Sequence, residues 1–222
     1  MKFTIPATIP RAALITGGPQ QLAIAGALAD AGFAIALQCQ TDISAELPAG
    51  AALLPADLSD EDHTGSLLDR AAAALGCPIG VLVNGAGAVG RDTCDDATRA
   101  TWDMHIETNL RAPLVLIQHF AKALPASHEG VVINLLDQRI CPQLVSYTLS
   151  KAALWTLTQT MALALAPRIR VNGIVLHGSG LRTDGNRGSC PDEVGRAVLA
   201  ILALSSMTGQ MIVPDGVPPP SA

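Results

Sequence analysis

The sequence predicts an α/β fold: a doubly wound, mostly parallel seven-stranded sheet between two layers of helices, built by residues 1–222 as one domain. Three observations predict it. Apolar runs alternate with helical stretches along the chain. The runs are continuous rather than alternately polar and apolar, as strands covered on both faces require. The first run ends at Gly17-Gly18-Pro19, a turn that leads into a helix.

The elements follow in order. Residues 12–16 form a short apolar strand, and a helix runs over roughly 21–31. Residues 33–37 read as the second strand and 51–55 as the third. An alanine-rich helix covers 61–75. The fourth strand, 79–83, ends at Asn84-Gly85-Ala86-Gly87. A long helical stretch spans about 98–124, and Gly130 breaks the chain before a strand at 131–135. Residues 147–165 fit a helix that Pro167 closes. Residues 170–176 make the sixth strand. Pro191 starts a helix that runs to about 205, and 211–213 is a last strand. Segments 176–190 and 214–222 are rich in turn residues, and the first is expected to be irregular and too short for a two-helix lid.

Composition narrows the function. A formal charge of −5 with 15% charged residues provides no basic face, so nucleic acid is not an expected partner. No apolar run reaches membrane-spanning length, and residues 1–9 are too short and too weakly basic for a secretory signal. The five cysteines are odd in number and widely spaced, which suits free thiols in a reducing cytoplasm. No metal-ligand cluster stands out, and His105, His119 and His128 are scattered. Asp92, Asp95 and Asp96 read as a solvated acidic loop. Trp102 and Trp155 read as packing or interface residues.

One residue carries the chemistry. Tyr147 is the chain's single tyrosine, and Lys151 follows it by four positions. That spacing stacks the two side chains on one helix face. An ammonium beside a phenol favours the phenolate, so Tyr147 is expected to have a lowered pKa and to act as a proton donor. At the other end, Thr16 to Ala23 joins the first strand to the first helix with a poor match to the dinucleotide-binding glycine pattern, since Gln21 and Ala23 stand where glycines are usual. Asp57 follows the third strand, where a carboxylate reaches an adenine amino group. Asn84 is placed to tie adjacent strands.

These segments together resemble the short-chain dehydrogenase/reductase family. The resemblance is carried by Thr16-Gly17-Gly18, Ala56-Asp57-Leu58, Asn84-Gly85-Ala86-Gly87, Asn109-Leu110-Arg111-Ala112-Pro113, Tyr147 to Leu154, Arg170-Val171-Asn172-Gly173-Ile174 and Thr208-Gly209-Gln210. Asn134-Leu135-Leu136-Asp137 is similar to the pteridine-reductase-like branch, which has an aspartate in place of the catalytic serine. The resemblance implies a Rossmann-like fold and hydride transfer between a nicotinamide and a carbonyl, alcohol or pteridine-like C=N group. It implies Tyr147 as general acid, Lys151 as holder of the nicotinamide ribose, Asn109 as keeper of a helix kink and proton-relay water, and Asp137 as orienter of substrate. Implied cofactor contacts are Gly17, Gln21, Leu22, Gln40, Asp57, Leu58, Asn84, Gly85, Ala86, Tyr147, Lys151, His177 and Gly178. NADP is preferred, largely as the family branch implies, and NAD left open: Gln38, Cys39 and Gln40 end the second strand without an acid, no arginine stands in that turn or the first, and Asp42 stands just beyond.

The chain departs from the family in its loops. Asp137 precedes Tyr147 by 10 positions rather than 13, and 12 residues separate Gly178 from Pro191 where relatives place a larger lid. A bulky substrate, a neighbouring subunit or a loss of catalysis would each answer to this, so a non-catalytic cofactor-binding or structural role is the alternative. The resemblance also implies a homo-oligomer, a tetramer more than a dimer, paired through the helices at 98–124 and 147–166.

Overall fold

A computed structural model of the chain describes residues 3–40, 47–176 and 191–214. Seven strands form one sheet: β1 (Ala12–Thr16), β2 (Ala34–Cys39), β3 (Ala52–Pro55), β4 (Val81–Asn84), β5 (Gly130–Leu136), β6 (Ile169–Val175) and β7 (Met211–Ile212). Their spatial order is β3-β2-β1-β4-β5-β6-β7, and every pairing is parallel. The order reverses between β1 and β4, so a crevice opens at their carboxyl ends.

Helices α1 (Leu22–Asp30) and α6 (Pro191–Ala203) cover one face, while α2 (Glu61–Leu75), α4 (Ala112–Ala123) and α5 (Val145–Leu165) cover the other. The central strands therefore bury both faces. All residues of β1, β4, β5 and β6 are buried, which explains their unbroken apolar runs. On the α4 side, Leu116, Ile117 and Phe120 pack against Leu67, Leu82 and Val132. Each fully buried side chain of this size contributes roughly 1.5–3 kcal/mol.

Local signals start and stop the helices. Asp60 caps α2 by accepting from the Asp62 and His63 amides, and Gly76 ends it in the left-handed conformation. Thr98 and Thr101 form a capping box at α3 (Arg99–Ile106). At the far end of α6, the buried Arg170 guanidinium donates to the carbonyls of Ile201, Leu202, Leu204 and Met207. A cation among C-terminal helix carbonyls replaces a carboxylate partner.

Several boundaries differ from the sequence expectation. The stretch at 98–124 is not one helix: a π turn, Glu107–Arg111, separates α3 from α4. The first helix is preceded by a 3-10 turn, Gly18–Gln21, and begins at Leu22. The second strand runs two residues further, to Cys39. The fourth runs Val81–Asn84, because Asn84 joins the ladder opposite Thr16 and Asn134. The expected strand at 211–213 has two paired residues.

Candidate functional site

The crevice is built by backbone that only glycine permits. Gly17 has φ +116°, and a Cβ there would lie 2.7 Å from the carbonyl carbon and oxygen of Gly85. The turn after β1 thus sits directly on the turn after β4. Two side chains hold it. Thr16 Oγ1 accepts from the Gly85 and Ala86 amides at 3.1 and 3.2 Å, and Gln21 Nε2 donates to Gly85 O at 3.1 Å. Gln38, buried at the end of β2, accepts from Gly17 N at 3.1 Å and donates to Ala56 O at 2.8 Å.

These strand ends surround a cavity of about 610 Å³, a size ordinary for a small-molecule or cofactor site. Of the expected cofactor contacts, Gly17, Gln40, Asp57, Leu58 and Ala86 line it. Asp57 accepts from the Ser59 amide and hydroxyl at 2.9 and 2.7 Å. Those bonds, the amide first, hold its carboxyl below the usual range. Among the described residues, those lining the cavity include Asp103 and Glu107 and no arginine or lysine.

Four expected contacts are placed differently. Gln21 is 4% exposed and spent on Gly85, so it braces the turn from behind rather than facing the cavity. Leu22 packs against the α1–α6 side of the core. Asn84 Nδ2 donates to Asn134 Oδ1 at 2.8 Å, and Asn134 Nδ2 donates to Thr158 Oγ1 at 2.8 Å. Asn84 is therefore the strand tie expected of it, not a cavity wall. Gly85 is absent from the lining because its backbone carries the contacts to Thr16 and Gln21. His177, Gly178, Asp42 and the 176–190 segment beyond Leu176 lie outside the described residues.

Tyr147 and Lys151 lie beside this cavity. A Cβ on Gly87, a lining residue, would sit 3.3 Å from Lys151 Nζ and 3.6 Å from Asn109 Oδ1. Both Tyr147 and Lys151 are buried on the first two turns of α5. Lys151 Nζ donates to Leu135 O at 3.3 Å and stands 6.0 Å from the Tyr147 ring centre. Burial pushes the Lys151 ammonium down to about 8, against a smaller opposing pull from Asp137. Asn109 occupies the π turn. It donates from Nδ2 to Ala88 O and Ser150 Oγ, each at 3.0 Å, and accepts from Ala88 N at 2.8 Å. It thereby ties the loop after β4 to α5.

Tyr147 donates its hydroxyl to Asp137 Oδ2 at 3.0 Å. Asp137 is in turn held by Arg139: Nε approaches both carboxylate oxygens at 3.0 and 3.1 Å, Nη2 donates to Oδ2 at 2.6 Å, and the Arg139 amide donates to Oδ1 at 3.0 Å. Burial pushes the Asp137 carboxyl up, but the Arg139 contacts outweigh it and leave it below the usual range. The expectation that Lys151 lowers the Tyr147 pKa is not met. Burial first, then the Asp137 charge, raises the phenol well above its ordinary value, and Arg139 offsets part of this. The carboxylate bonds the hydroxyl directly, whereas the ammonium stands 6.0 Å from the ring centre.

Sequence reasoning missed a buried network behind Tyr147. Asp92, read as solvated, is fully buried, as are His105 and Ser146. Ser146 Oγ donates to Asp92 Oδ2, and Ser146 N donates to Asp92 Oδ1 at 3.2 Å. His105 Nδ1 lies 2.6 Å from Ser146 Oγ, and His105 Nε2 accepts from Gly90 N at 2.8 Å. Since Nε2 accepts, Nδ1 carries the proton and donates. The Val145 amide donates to the Asp92 backbone carbonyl at 3.2 Å. Asp92 thus satisfies two amides of the first turn of α5, Val145 with its carbonyl and Ser146 with its carboxylate, where Leu144 provides no side-chain cap. The three residues lie 13 and 41 positions apart, so no local pattern signals them. Cys141 also lies outside the cavity, with Sγ 3.3 Å from Gln143 Oε1. Among the described residues no group of three or more His, Cys, Asp or Glu is placed to hold a metal, and no helix is long and apolar enough to cross a membrane.

Comparison with known proteins agrees with this geometry. The family model for short chain dehydrogenase matches residues 11–189. An L-xylulose reductase of Bos taurus is 32% identical over 74% of this chain and 70% of its own length. A NAD-dependent glycerol dehydrogenase of Listeria innocua is 28% identical, and the match spans 62% of this chain and 63% of that relative. Among solved structures, FolM alternative dihydrofolate reductase 1 from Brucella canis, complexed with NADP, is 35% identical with TM-score 0.82, and the match covers 92% of each chain. The Brucella suis protein, also with NADP, is 36% identical with the same TM-score, over 92% of this chain and 93% of that one. A strand order that reverses at the crevice, a Tyr147–Lys151 pair beside it and a family match over most of the length lead to one conclusion: the chain belongs to the short-chain dehydrogenase family of oxidoreductases.

Proposed function

We propose that the chain is an NADP-preferring reductase of small carbonyl or C=N substrates, with dihydropteridine-like rings as the favoured class. One observation carries this reading: the Tyr147 hydroxyl is hydrogen-bonded to an aspartate at the end of β5, with Lys151 one turn further along α5. The Brucella relatives bear the name of a dihydrofolate reductase and are NADP complexes, which supports both the substrate class and the cofactor.

In this reading Gly17, Gln40, Asp57, Leu58 and Ala86 hold the adenosine half of the cofactor, and Lys151 holds the ribose next to the nicotinamide. The bound nicotinamide supplies or accepts the hydride. Tyr147 gives its proton to the substrate oxygen or nitrogen. Lys151 stabilises the resulting phenolate, and Asn109 keeps Lys151 and the loop after β4 in register. Asp137 orients the phenol and returns protons to it. The absence of an acid at the end of β2, where Gln38, Cys39 and Gln40 stand, leaves room for a 2′-phosphate. A non-catalytic role is not favoured, because Lys151 and Asn109 adjoin Gly87 on the cavity wall and Tyr147, one turn before Lys151, is bonded to Asp137.

The chain is further proposed to act as a homo-oligomer, a tetramer before a dimer, in the cytoplasm. Leu149 and Leu163 on α5 remain 48% and 85% exposed, which suits a helix that pairs with another copy. Light scattering tests it, and a mass near 22.8 kDa would contradict it.

The test of activity is NADPH and NADH oxidation over a panel of carbonyls, quinones and dihydropteridines, run beside titration of both cofactors. Turnover of at least one substrate is expected. Tight cofactor binding with no turnover across the panel would overturn the reading.

A further inference from the structure

Arg139 is the cation paired with Asp137 beside the phenol. It sits two residues after Asp137, so in an extended loop both side chains project to one side. The loop that holds them is the one shortened between β5 and α5. Asp137 Oδ2 is shared: it accepts from Tyr147 Oη at 3.0 Å and from Arg139 Nη2 at 2.6 Å. The guanidinium and the phenol therefore meet on one oxygen atom. The Asp137 side chain is 6% exposed while that of Arg139 is 37% exposed, so the guanidinium covers the carboxylate from the solvent side.

We propose that Arg139 is the positioning residue that makes a carboxylate tolerable beside the reacting phenol, by neutralising Asp137 as the Tyr147 phenolate forms. The inference rests on the proposed role of Tyr147 as proton donor. In reduction, the O–H bond of Tyr147 breaks, its proton goes to the substrate oxygen or nitrogen, and the electron pair stays on Tyr147 Oη. The substrate carbon takes the hydride from the reduced nicotinamide, which becomes oxidised. Two negative oxygens then face each other across one hydrogen-bond length. A bidentate guanidinium is the donor set suited to hold one of them. Among the described residues, the charged and titratable groups around the phenol are Asp137 after β5, Arg139 in the loop, Lys151 on α5 and His105 on α3, whose ring is 6.0 Å away. Burial lowers His105, so it contributes no charge at neutral pH. Lys151 stands over the ring and donates to Leu135 O, so among the described residues Arg139 is the cation bonded to the carboxylate. Arg139 also pulls the phenol downward against Asp137.

Arg139→Gln and Arg139→Lys test this. Arg139→Gln is expected to lower kcat for reduction about tenfold or more and to move both limbs of its pH profile upward by about one unit, with cofactor KM unchanged. Arg139→Lys is expected to restore most of kcat and the wild-type limbs. A loop staple would lower the melting temperature without moving the limbs, and that result overturns the proposal. A second measurement needs no substrate. Tyr147 is the single tyrosine, so tyrosinate absorbance reports it alone. At the highest pH where circular dichroism shows all proteins folded, Arg139→Gln should hold less phenolate than wild type; equal phenolate overturns the proposal. Lower phenolate in Arg139→Gln beside a wild type that turns over no substrate would sink the proposed function and the catalytic part of this inference with it, leaving only the hold of Arg139 on the phenol.

Discussion

Tyr147 donates its hydroxyl hydrogen to Asp137 Oδ2 across 3.0 Å, so the shortened loop between β5 and α5 still delivers both residues to one point. The ten-residue spacing therefore still lets the two side chains bond. It removes chain from the loop rather than from the ends that hold them. The phenol stays protonated here because burial and the carboxylate both oppose its ionisation.

The first prediction concerns that proton. The tyrosinate absorbance of the folded protein is expected to rise only above the ordinary tyrosine range, and Asp137→Asn is expected to bring it down. Titration at or below 10 in the wild type would show that Lys151, not Asp137, governs the phenol.

Lys151 leads to a stability prediction with a definite sign. Its folded pKa of about 8 lies below the ordinary 10.5. Between these values the unfolded chain binds a proton that the folded chain does not, so stability rises with pH across that window. Below it the full cost of a buried ammonium is present. Lys151→Met is therefore expected to stabilise the protein at pH 7, by up to about 3 kcal/mol, while abolishing turnover. The gain should vanish above pH 10.5. A destabilised Lys151→Met at pH 7 would mean that the ammonium is net favourable where it sits.

Much of the fold was legible beforehand, because its strands are buried on both faces and print continuous apolar runs such as Val131 to Leu136. The strand ends were legible too, since Gly17 and Gly85 stand where backbones must touch. The Asp92–Ser146–His105 network was not. Its members are far apart in sequence, and each alone looks like a loop acid, a helix serine and a scattered histidine. The π turn at Glu107–Arg111 was equally hidden, since its composition is that of an ordinary helix. The direction of the Tyr147 shift was misread because helical spacing gives proximity to Lys151 but not the closer carboxylate.

The buried network should matter to both stability and turnover. Asp92→Ala removes the carboxylate that accepts from the Ser146 amide and hydroxyl, leaving both buried donors without it. A loss of about 2–4 kcal/mol is expected, with turnover falling further than cofactor affinity because α5 carries Tyr147. His105, lowered by burial, refuses a proton that the unfolded chain accepts below pH 6.5. Stability should therefore fall as the pH drops through that value. His105→Gln should flatten that slope in urea titrations at pH 5 and 7; an unchanged slope would show that other groups set it.

Cofactor choice is predicted at the end of β2. Gln40 lines the cavity and carries no charge, so NADPH is expected to bind at least as tightly as NADH. Gln40→Asp should reverse the preference by repelling the 2′-phosphate. Tenfold tighter NADH binding to the wild type, measured by fluorescence titration, would contradict this assignment.

The most direct measurement is single-turnover oxidation of NADPH by wild type and Tyr147→Phe with the best substrate found in the panel. Removing the phenol oxygen deletes the proton donor and leaves the adenosine cavity untouched. A rate loss of about 10²–10⁴ with unchanged NADPH affinity is the predicted result. A Tyr147→Phe rate within a few-fold of wild type would contradict the account, because the proton would then come from another group.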